Sequence, residues 1–167
     1  MSARATLTAD RLRQVLNYDP VTGTFTWAQG MGARAPAGSQ AGCRSGRNSP
    51  WLVIRIDGVK YYAHRLAWLH IHGEWPVGVI DHVNGNPADN RIANLRDVPQ
   101  RVNCENKRAP LANNQVGFLG VSPHGQKFAA NICAHGESKY LGRFECAEEA
   151  HKAYVHAKRA LHEGCVL

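Results

Sequence analysis

The start of the chain shows apolar residues at helical spacing, followed by alternation of apolar and polar positions. Leu12, Val15 and Leu16 lie on one face of a helix that begins after Thr8, a residue type favoured as an N-cap. The stretch YDPVTGTFTW then combines turn residues with alternating aromatic positions. The pattern therefore predicts a short helix followed by a hairpin strand.

The next part of the chain carries a strong β-hairpin signal. Residues 28–50 are rich in Gly, Ala, Ser and Pro and are predicted to form a loop. In WLVIRIDGVKYYAH, two alternating runs are joined by Asp57-Gly58, a dipeptide typical of tight hairpin turns. Residues 64–72 are then predicted to be helical.

A second hairpin and a helix are predicted from residue 79 onward. An apolar pair at 79–80 leads into Asp81 and His82, and a loop rich in Asn, Gly and Pro follows. Residues 95–98 can return as the partner strand, and Pro99 suits the first turn of a helix that runs to about residue 107.

The remainder of the chain has the pattern of a second, smaller domain. Residues 109–116 are polar and are predicted to be a linker. Three strand-like segments follow, GFLGVSPHG, KFAANICAHG and KYLGRF, and a helix is predicted from Ala147 to about His162. Three strands and a helix can form a domain of roughly 50 residues, near the lower limit for independent folding.

Composition adds a partner class and a compartment. The 167 residues contain 20 Lys and Arg against 13 Asp and Glu, and the pI near 9.4 favours a polyanionic partner such as nucleic acid. The five cysteines are scattered and include no CxxC pair, so we expect neither a disulfide framework nor structural zinc. The amphipathic start and the lack of a long apolar run lead us to expect a cytoplasmic protein without a membrane partner.

The segment between Asp81 and Asn103 concentrates the residues suited to chemistry. Asp81 and His82 sit at a strand end, Asn94 lies across a loop, and Asn103 falls on the following helix. A hairpin packed on a helix can aim a carboxylate, an imidazole and amide oxygens into one cleft. The alternative is a polar turn, and that interpretation is preferred for a group of turn-forming residues, Asn84, Gly85, Asn86 and Asn90.

A resemblance to a known family rests on four segments of the chain, namely YDPVTGTFTW, AHRLAW, GEWPVGVIDHVNGNPADNRIANLRDV and NCEN. In these segments the sequence resembles HNH endonucleases of the ββα-metal (His-Me finger) group. The resemblance is to the phage and homing-endonuclease types, in a His-Asn-Asn variant. It implies an α+β chain with a nuclease domain over residues 1–108 and a ββα-metal core at about 79–107. If the protein is phage-encoded, its location would be the host cytoplasm.

Carried over to matching positions, the resemblance implies that Asp81 and Asn103 bind one divalent cation, Mg²⁺ or Mn²⁺. His82 would be the general base, and Asn94 would hold the loop and orient His82. The commonest HNH pattern has His where this chain has Asn103, and an amide oxygen suits Mg²⁺ at least as well. Asn106, one turn later, is the competing ligand.

Residues 117–164 resemble the AP2 DNA-binding domain, so a domain is assigned to 117–167. The resemblance implies that its three-stranded antiparallel sheet lies in the DNA major groove. Strand alternation favours Lys127 and Asn131 as contacts. Matching of the family's contact positions adds four more, Ser122, His124, Tyr140 and Arg143.

Other basic residues lie in the first part of the chain and around the predicted active site. Arg65, Arg96 and Arg101 are predicted DNA contacts, although Arg65 can equally contact a helix end. A further set can bind phosphates or remain solvated, namely Arg34, Arg44, Arg47, Arg55, Lys60, Arg91, Lys107 and Arg108.

Two functions from different classes follow. The first is a metal-dependent endonuclease that nicks or cuts double-stranded DNA as a monomer or homodimer. The alternative is a non-catalytic DNA-binding or transcription-regulatory protein with a decayed nuclease fold. Intact Asp81, His82 and Asn103 favour the first.

Overall fold

The computed structural model describes residues 6–33, 35–110, 113–163 and 165. The chain divides into two compact units, Met1–Pro99 and Gln100–Leu167. Both contain helices and small antiparallel sheets, which confirms the α+β class. This division lies upstream of the predicted linker at 109–116, two residues of which, 111 and 112, are outside the described part, as is Arg34.

The first unit begins with the predicted helix, α1, at Ala9–Val15. Its N-cap is Thr8, whose Oγ1 accepts a hydrogen bond from the backbone N–H of Arg11 at 3.2 Å. Strands β1 (Leu16–Asp19) and β2 (Thr24–Trp27) follow as an antiparallel pair. The predicted helix and hairpin strand are therefore confirmed, but Leu16, predicted to lie on the helix, is extended and begins β1.

A three-stranded sheet and a helix come next. They are β3 (Cys43–Arg44), β4 (Leu52–Ile56), β5 (Val59–Tyr62) and α2 (Ala63–His72). Asp57 and Gly58 have φ angles of 48° and 79°, as a tight two-residue hairpin turn requires. The loop predicted over 28–50 misses β3, because this two-residue strand forms by pairing with the edge of β4.

The second hairpin consists of β6 (Val79–His82) and β7 (Leu95–Val98), with a short 3₁₀ helix at Ile92–Asn94 before β7. Asp97 lies opposite Ile80 and accepts hydrogen bonds from the backbone N–H groups of Val77 and Gly78, both at 2.8 Å. These bonds hold the chain at the entrance to β6.

The core of the first unit lies between α1, α2 and the inner face of the sheet. Leu12, Leu16 and Leu66 are fully buried, and Ile54 and Ile56 face them from β4. Burying a Leu or Ile side chain contributes about 1.5–3 kcal/mol, so this packing provides a rigid base for the β6–β7 hairpin.

The second unit contains α3 (Gln100–Glu105), β8 (Val121–His124), β9 (Lys127–Ala134), β10 (Glu137–Phe144) and α4 (Ala147–Leu161). The strand order is β10-β9-β8, and Val121 and Ala130 pack with Ala147 and Ala150 of α4. The predicted three-stranded sheet with a helix is confirmed, although α3 ends at Glu105 instead of near residue 107. No helix in the described part of the chain is long and apolar enough to cross a membrane.

Candidate active site

The β6–β7 hairpin places Asp81 and His82 at the end of β6. Asp81 pairs in register with Arg96, and His82 with Leu95. Both side chains are buried, with Asp81 4% and His82 5% exposed. Because burial of a charge or an imidazole without partners is costly, the surroundings of each side chain decide its chemistry.

Asp81 is held across the strands by Arg96. The Arg96 Nε and Nη2 atoms lie 2.8 and 2.7 Å from Asp81 Oδ2. This pairing holds a hard oxygen donor in a buried position. Arg96, predicted to contact DNA, is thus engaged with the predicted metal ligand.

His82 lies against an aromatic cluster formed by Trp51, Tyr62 and His64. Its ring centroid is 5.5 Å from that of Trp51 and 5.3 Å from that of His64. Burial lowers the pKa of His82, whereas the hydrogen bond to Asn90 and the charge of Asp81 act to raise it. Burial, followed by the nearby His82 and Arg65, lowers the pKa of His64 to about 3. Both imidazoles are therefore neutral near neutral pH, and His82 can accept a proton.

Asn90 is the residue of this site that the sequence did not reveal. The sequence predicts a turn former at this position, yet Asn90 is only 2% exposed and its Oδ1 lies 3.2 Å from His82 Nε2. An amide oxygen only accepts hydrogen bonds, so Nε2 carries the ring proton and Nδ1 carries the lone pair. No local signal distinguishes Asn90 from the neighbouring loop asparagines, which are exposed.

Asn94 ties the two ends of the loop together. Its Oδ1 accepts a hydrogen bond from the Asn84 backbone N–H at 2.9 Å, and its Nδ2 donates to the Asp89 carbonyl at 2.8 Å. The Asn94 carbonyl also accepts from the Val83 N–H at 2.9 Å. Through these bonds Asn94 holds the segment that carries Asn90.

Asp89 stiffens the same loop from its exposed side. Its carboxylate accepts hydrogen bonds from Arg91 Nε and Nη2 at 2.8 and 2.6 Å and from Asn84 Nδ2 at 2.7 Å. The bonds from Arg91, followed by those from the loop, lower the pKa of Asp89 to about 2. The loop therefore has a fixed anionic residue in its middle.

Asn103 and Asn106, the alternative amide ligands, lie in the second unit. Asn103 is half-buried on α3, and its carbonyl accepts a hydrogen bond from the N–H of Asn106, which is 7% exposed. Within the described ranges, no group of three or more His, Cys, Asp or Glu side chains could hold a metal ion.

The predicted DNA contacts of the second unit share the face of the sheet opposite α4. Ser122 and Arg143 both pair with Ala129, and Asn131 pairs with Tyr140. An irregularity between Tyr140 and Gly142 puts Tyr140 and Arg143 on the same face despite their odd spacing. Lys127, opposite His124, forms an ion pair with Glu145.

The remaining predicted DNA contacts already have partners within their own units. The Arg65 guanidinium lies 5.6 Å from the centre of the Trp75 ring, a cation–π arrangement. Arg101 forms ion pairs with Glu105 at 2.8 Å and Glu163 at 3.1 Å. A DNA phosphate would have to compete with these contacts.

Comparison with known proteins gives a family match for the part of the chain that contains the β6–β7 hairpin. Neither the curated proteins nor the solved structures include a match to this chain. Residues 61–104 match the model of a protein family described as HNH endonuclease. This range contains the β6–β7 hairpin with Asp81, His82, Asn90 and Asn94, and the match supports an HNH endonuclease.

Proposed function

We propose that this protein is a metal-dependent DNA endonuclease of the phage or homing type, with His82 as its general base. The observation that carries this proposal is a buried imidazole next to a buried carboxylate, on a hairpin within the matched residues. Burial lowers the pKa of this imidazole, which favours its neutral form. The β6–β7 pair would be the ββ part of a ββα-metal nuclease domain.

His82 is suited to activate water for phosphodiester hydrolysis. With the ring proton on Nε2, Nδ1 takes a proton from a water molecule, whose oxygen attacks phosphorus in line. The bond from phosphorus to the 3′ oxygen breaks, and that oxygen takes a proton from solvent water as it leaves. The expected products have 5′-phosphate and 3′-hydroxyl ends.

The donor chemistry fits a hard divalent cation, Mg²⁺ or Mn²⁺. Asp81 supplies a carboxylate oxygen, and the resemblance assigns the second oxygen ligand to Asn103, with Asn106 as the competing residue. When bound, such a cation neutralises charge on the phosphate and stabilises the leaving oxygen. Arg96 would then share Asp81 with the cation or release it.

We further propose that the β8–β10 sheet binds double-stranded DNA in the manner of AP2 domains. Its outward face carries Tyr140, which is 63% exposed, and Arg143 next to the half-buried Asn131. Aromatic, amide and guanidinium groups on one sheet face suit base edges and phosphates. Lys127 contributes less, because Glu145 already neutralises it.

One observation favours the alternative, a non-catalytic DNA-binding or regulatory protein. The Asp81 carboxylate is ion-paired with Arg96, as it would be where no metal binds. Under this alternative the chain would bind DNA but leave it intact with every metal.

The two functions are separated by incubating supercoiled plasmid or phage DNA with Mg²⁺, Mn²⁺ or EDTA. We expect nicking or linearisation with metal, none with EDTA, and a loss of about 10²–10⁴-fold in rate for His82→Ala. Tyr61→Phe, a conservative change at a half-buried tyrosine, is the control and should cleave normally. Equal cleavage by His82→Ala would contradict the mechanism, and DNA binding without cleavage would support the alternative.

A further inference from the structure

The β1–β2 hairpin lies outside residues 61–104 but contacts the loop that carries Asn90. The Tyr18 hydroxyl donates a hydrogen bond of 2.7 Å to the Asn90 backbone carbonyl. This contact links residues 72 positions apart in the chain. It acts on the same residue whose side chain contacts His82.

Gly23, in the turn of this hairpin, makes the second contact. A β-carbon there would lie 2.4 Å from the backbone nitrogen of Arg91 and 2.5 Å from the carbonyl carbon of Asn90. Its φ of +73° is also a conformation that favours glycine. The turn therefore packs directly on the loop backbone at 90–91.

Tyr18 is itself well supported. Its ring centroid lies 4.8 Å from that of Phe25 and 5.7 Å from that of His70. Burial raises the pKa of Tyr18 to about 12, so its hydroxyl remains a donor at any working pH. The hairpin can thus transmit the rigidity of the hydrophobic core to the loop.

Contacts from other parts of the first unit hold consecutive backbone groups on either side of Asn90. Asn94 Nδ2 holds the Asp89 carbonyl, Tyr18 holds the Asn90 carbonyl, and Gly23 packs against the peptide that follows. With its backbone fixed, Asn90 can hold its buried side-chain oxygen toward His82 Nε2.

We propose that Tyr18, Gly23 and Asn90 are positioning residues of the nuclease. The β1–β2 hairpin fixes the backbone at Asn90, and Asn90 holds His82 in the Nε2–H tautomer, so that Nδ1 faces the attacking water. This inference rests on the proposed function for its catalytic consequence. Its structural part, control of the His82 tautomer and orientation, can be tested independently of activity.

Steady-state cleavage by the full chain tests the catalytic part. For Asn90→Ala we expect kcat to fall about 100-fold with KM nearly unchanged, because the base loses its orientation. For Tyr18→Phe we expect a fall of about fivefold, the rate equivalent of one hydrogen bond. Asn90→Asp, which keeps an oxygen acceptor, should recover most of the activity lost in Asn90→Ala.

Tyr61→Phe is the matched control, since Tyr61 lies in the same unit and its hydroxyl has no hydrogen-bond partner among the described residues. It should retain the wild-type kcat. A general loss of stability would lower the active fraction of every variant at high temperature, so rates are compared well below each unfolding midpoint.

Heteronuclear NMR of the imidazole nitrogens tests the structural part without any cleavage. The His82 signals are identified by their loss in His82→Ala. We expect wild-type His82 to show the Nε2–H tautomer and Asn90→Ala to show a mixture of both. Tyr18→Phe should shift the population in the same direction.

An unchanged kcat in Asn90→Ala, or an unchanged tautomer in both Asn90→Ala and Tyr18→Phe, would overturn the inference. If the wild type cleaves no DNA but the tautomer changes as expected, the proposed function fails and the positioning of His82 stands. Should Asn90→Ala fail to fold, Tyr18→Phe carries the comparison, and an unchanged kcat and tautomer in that variant would overturn the inference.

Discussion

Two cations stand directly opposite each other on the outer face of the β4–β5 hairpin. Arg55 pairs in register with Lys60, both are exposed, and neither forms an ion pair within the described ranges. Like charges in directly opposed cross-strand positions destabilise a sheet by roughly 0.2–1 kcal/mol. If the hairpin binds DNA, contacts of Arg55 and Lys60 with phosphates would offset this repulsion in the complex.

Replacing both residues by threonine, which suits a strand, should therefore have opposite effects on stability and binding. We expect Arg55→Thr/Lys60→Thr to raise the free energy of unfolding by about 0.2–1 kcal/mol, because the repulsion disappears. DNA binding should weaken, because two phosphate contacts are lost. A pair of merely solvated charges would produce only the first effect.

The magnitude of the binding change follows from counterion release. Each phosphate contact contributes about 0.9 to the slope of log K against log salt, so two contacts contribute about 1.8. Between about 50 and 200 mM salt, the affinity of the wild type should thus fall about 12-fold more than that of the double variant.

The assay is fluorescence anisotropy with a labelled duplex, in a His82→Ala background with EDTA so that no DNA is cut. Lys152→Ala/Arg159→Ala on α4 removes the same charge from two exposed positions and is the control. The reasoning is refuted if the Arg55/Lys60 variant keeps the wild-type slope, or if the control lowers the slope equally.

Three further predictions follow from the structure. The hydrogen bonds from Arg91 lower the pKa of Asp89 to about 2. The ionised Asp89 carboxylate therefore stabilises the folded protein above the ordinary carboxyl pKa of 3.8, and this stabilisation is lost as the pH falls through about 2. Asp89→Asn should accordingly show a smaller drop in thermal midpoint between neutral and acidic pH than the wild type, and an equal drop would contradict this. Leu66→Ala, at a fully buried position, should cost about 2–5 kcal/mol in denaturant unfolding, and a cost below about 1 kcal/mol would argue against this core. In anisotropy titrations Arg143→Ala should lower the salt slope by about 1 and Lys127→Ala by less, since Glu145 already pairs with Lys127; the reverse order would count against the sheet as the DNA face.

Much of the element order was predictable from local pattern. The capped helix after Thr8, the turn at Asp57-Gly58 and the strand at 79–82 all depend on residues close together in the chain. Apolar periodicity and turn chemistry are short-range properties, so the sequence displays them directly. The short strand β3 was missed because it exists only through pairing with β4.

Within the candidate site, the sequence identified Asp81, His82 and Asn94 as a group, but not how each is engaged. Asn90 looks like its neighbours Asn84 and Asn86, and only burial separates it from them. The pairing of Asp81 with Arg96 depends on the register of β6 and β7. Tyr140 and Arg143 share a face only because the β10 register shifts between Tyr140 and Gly142.

The sequence by itself determined the class of fold and the order of the elements, because these follow from residue types and spacings of a few positions. It also indicated the candidate segment from Asp81 to Asn103, through residue types that resemble a known family. The tertiary structure alone decided which asparagine contacts His82 and which tyrosine supports that asparagine. Both answers depend on contacts between distant residues, such as Tyr18 with Asn90, and on the exclusion of water around them. Local pattern carries no information about either, since the same residue types serve equally well in an exposed turn.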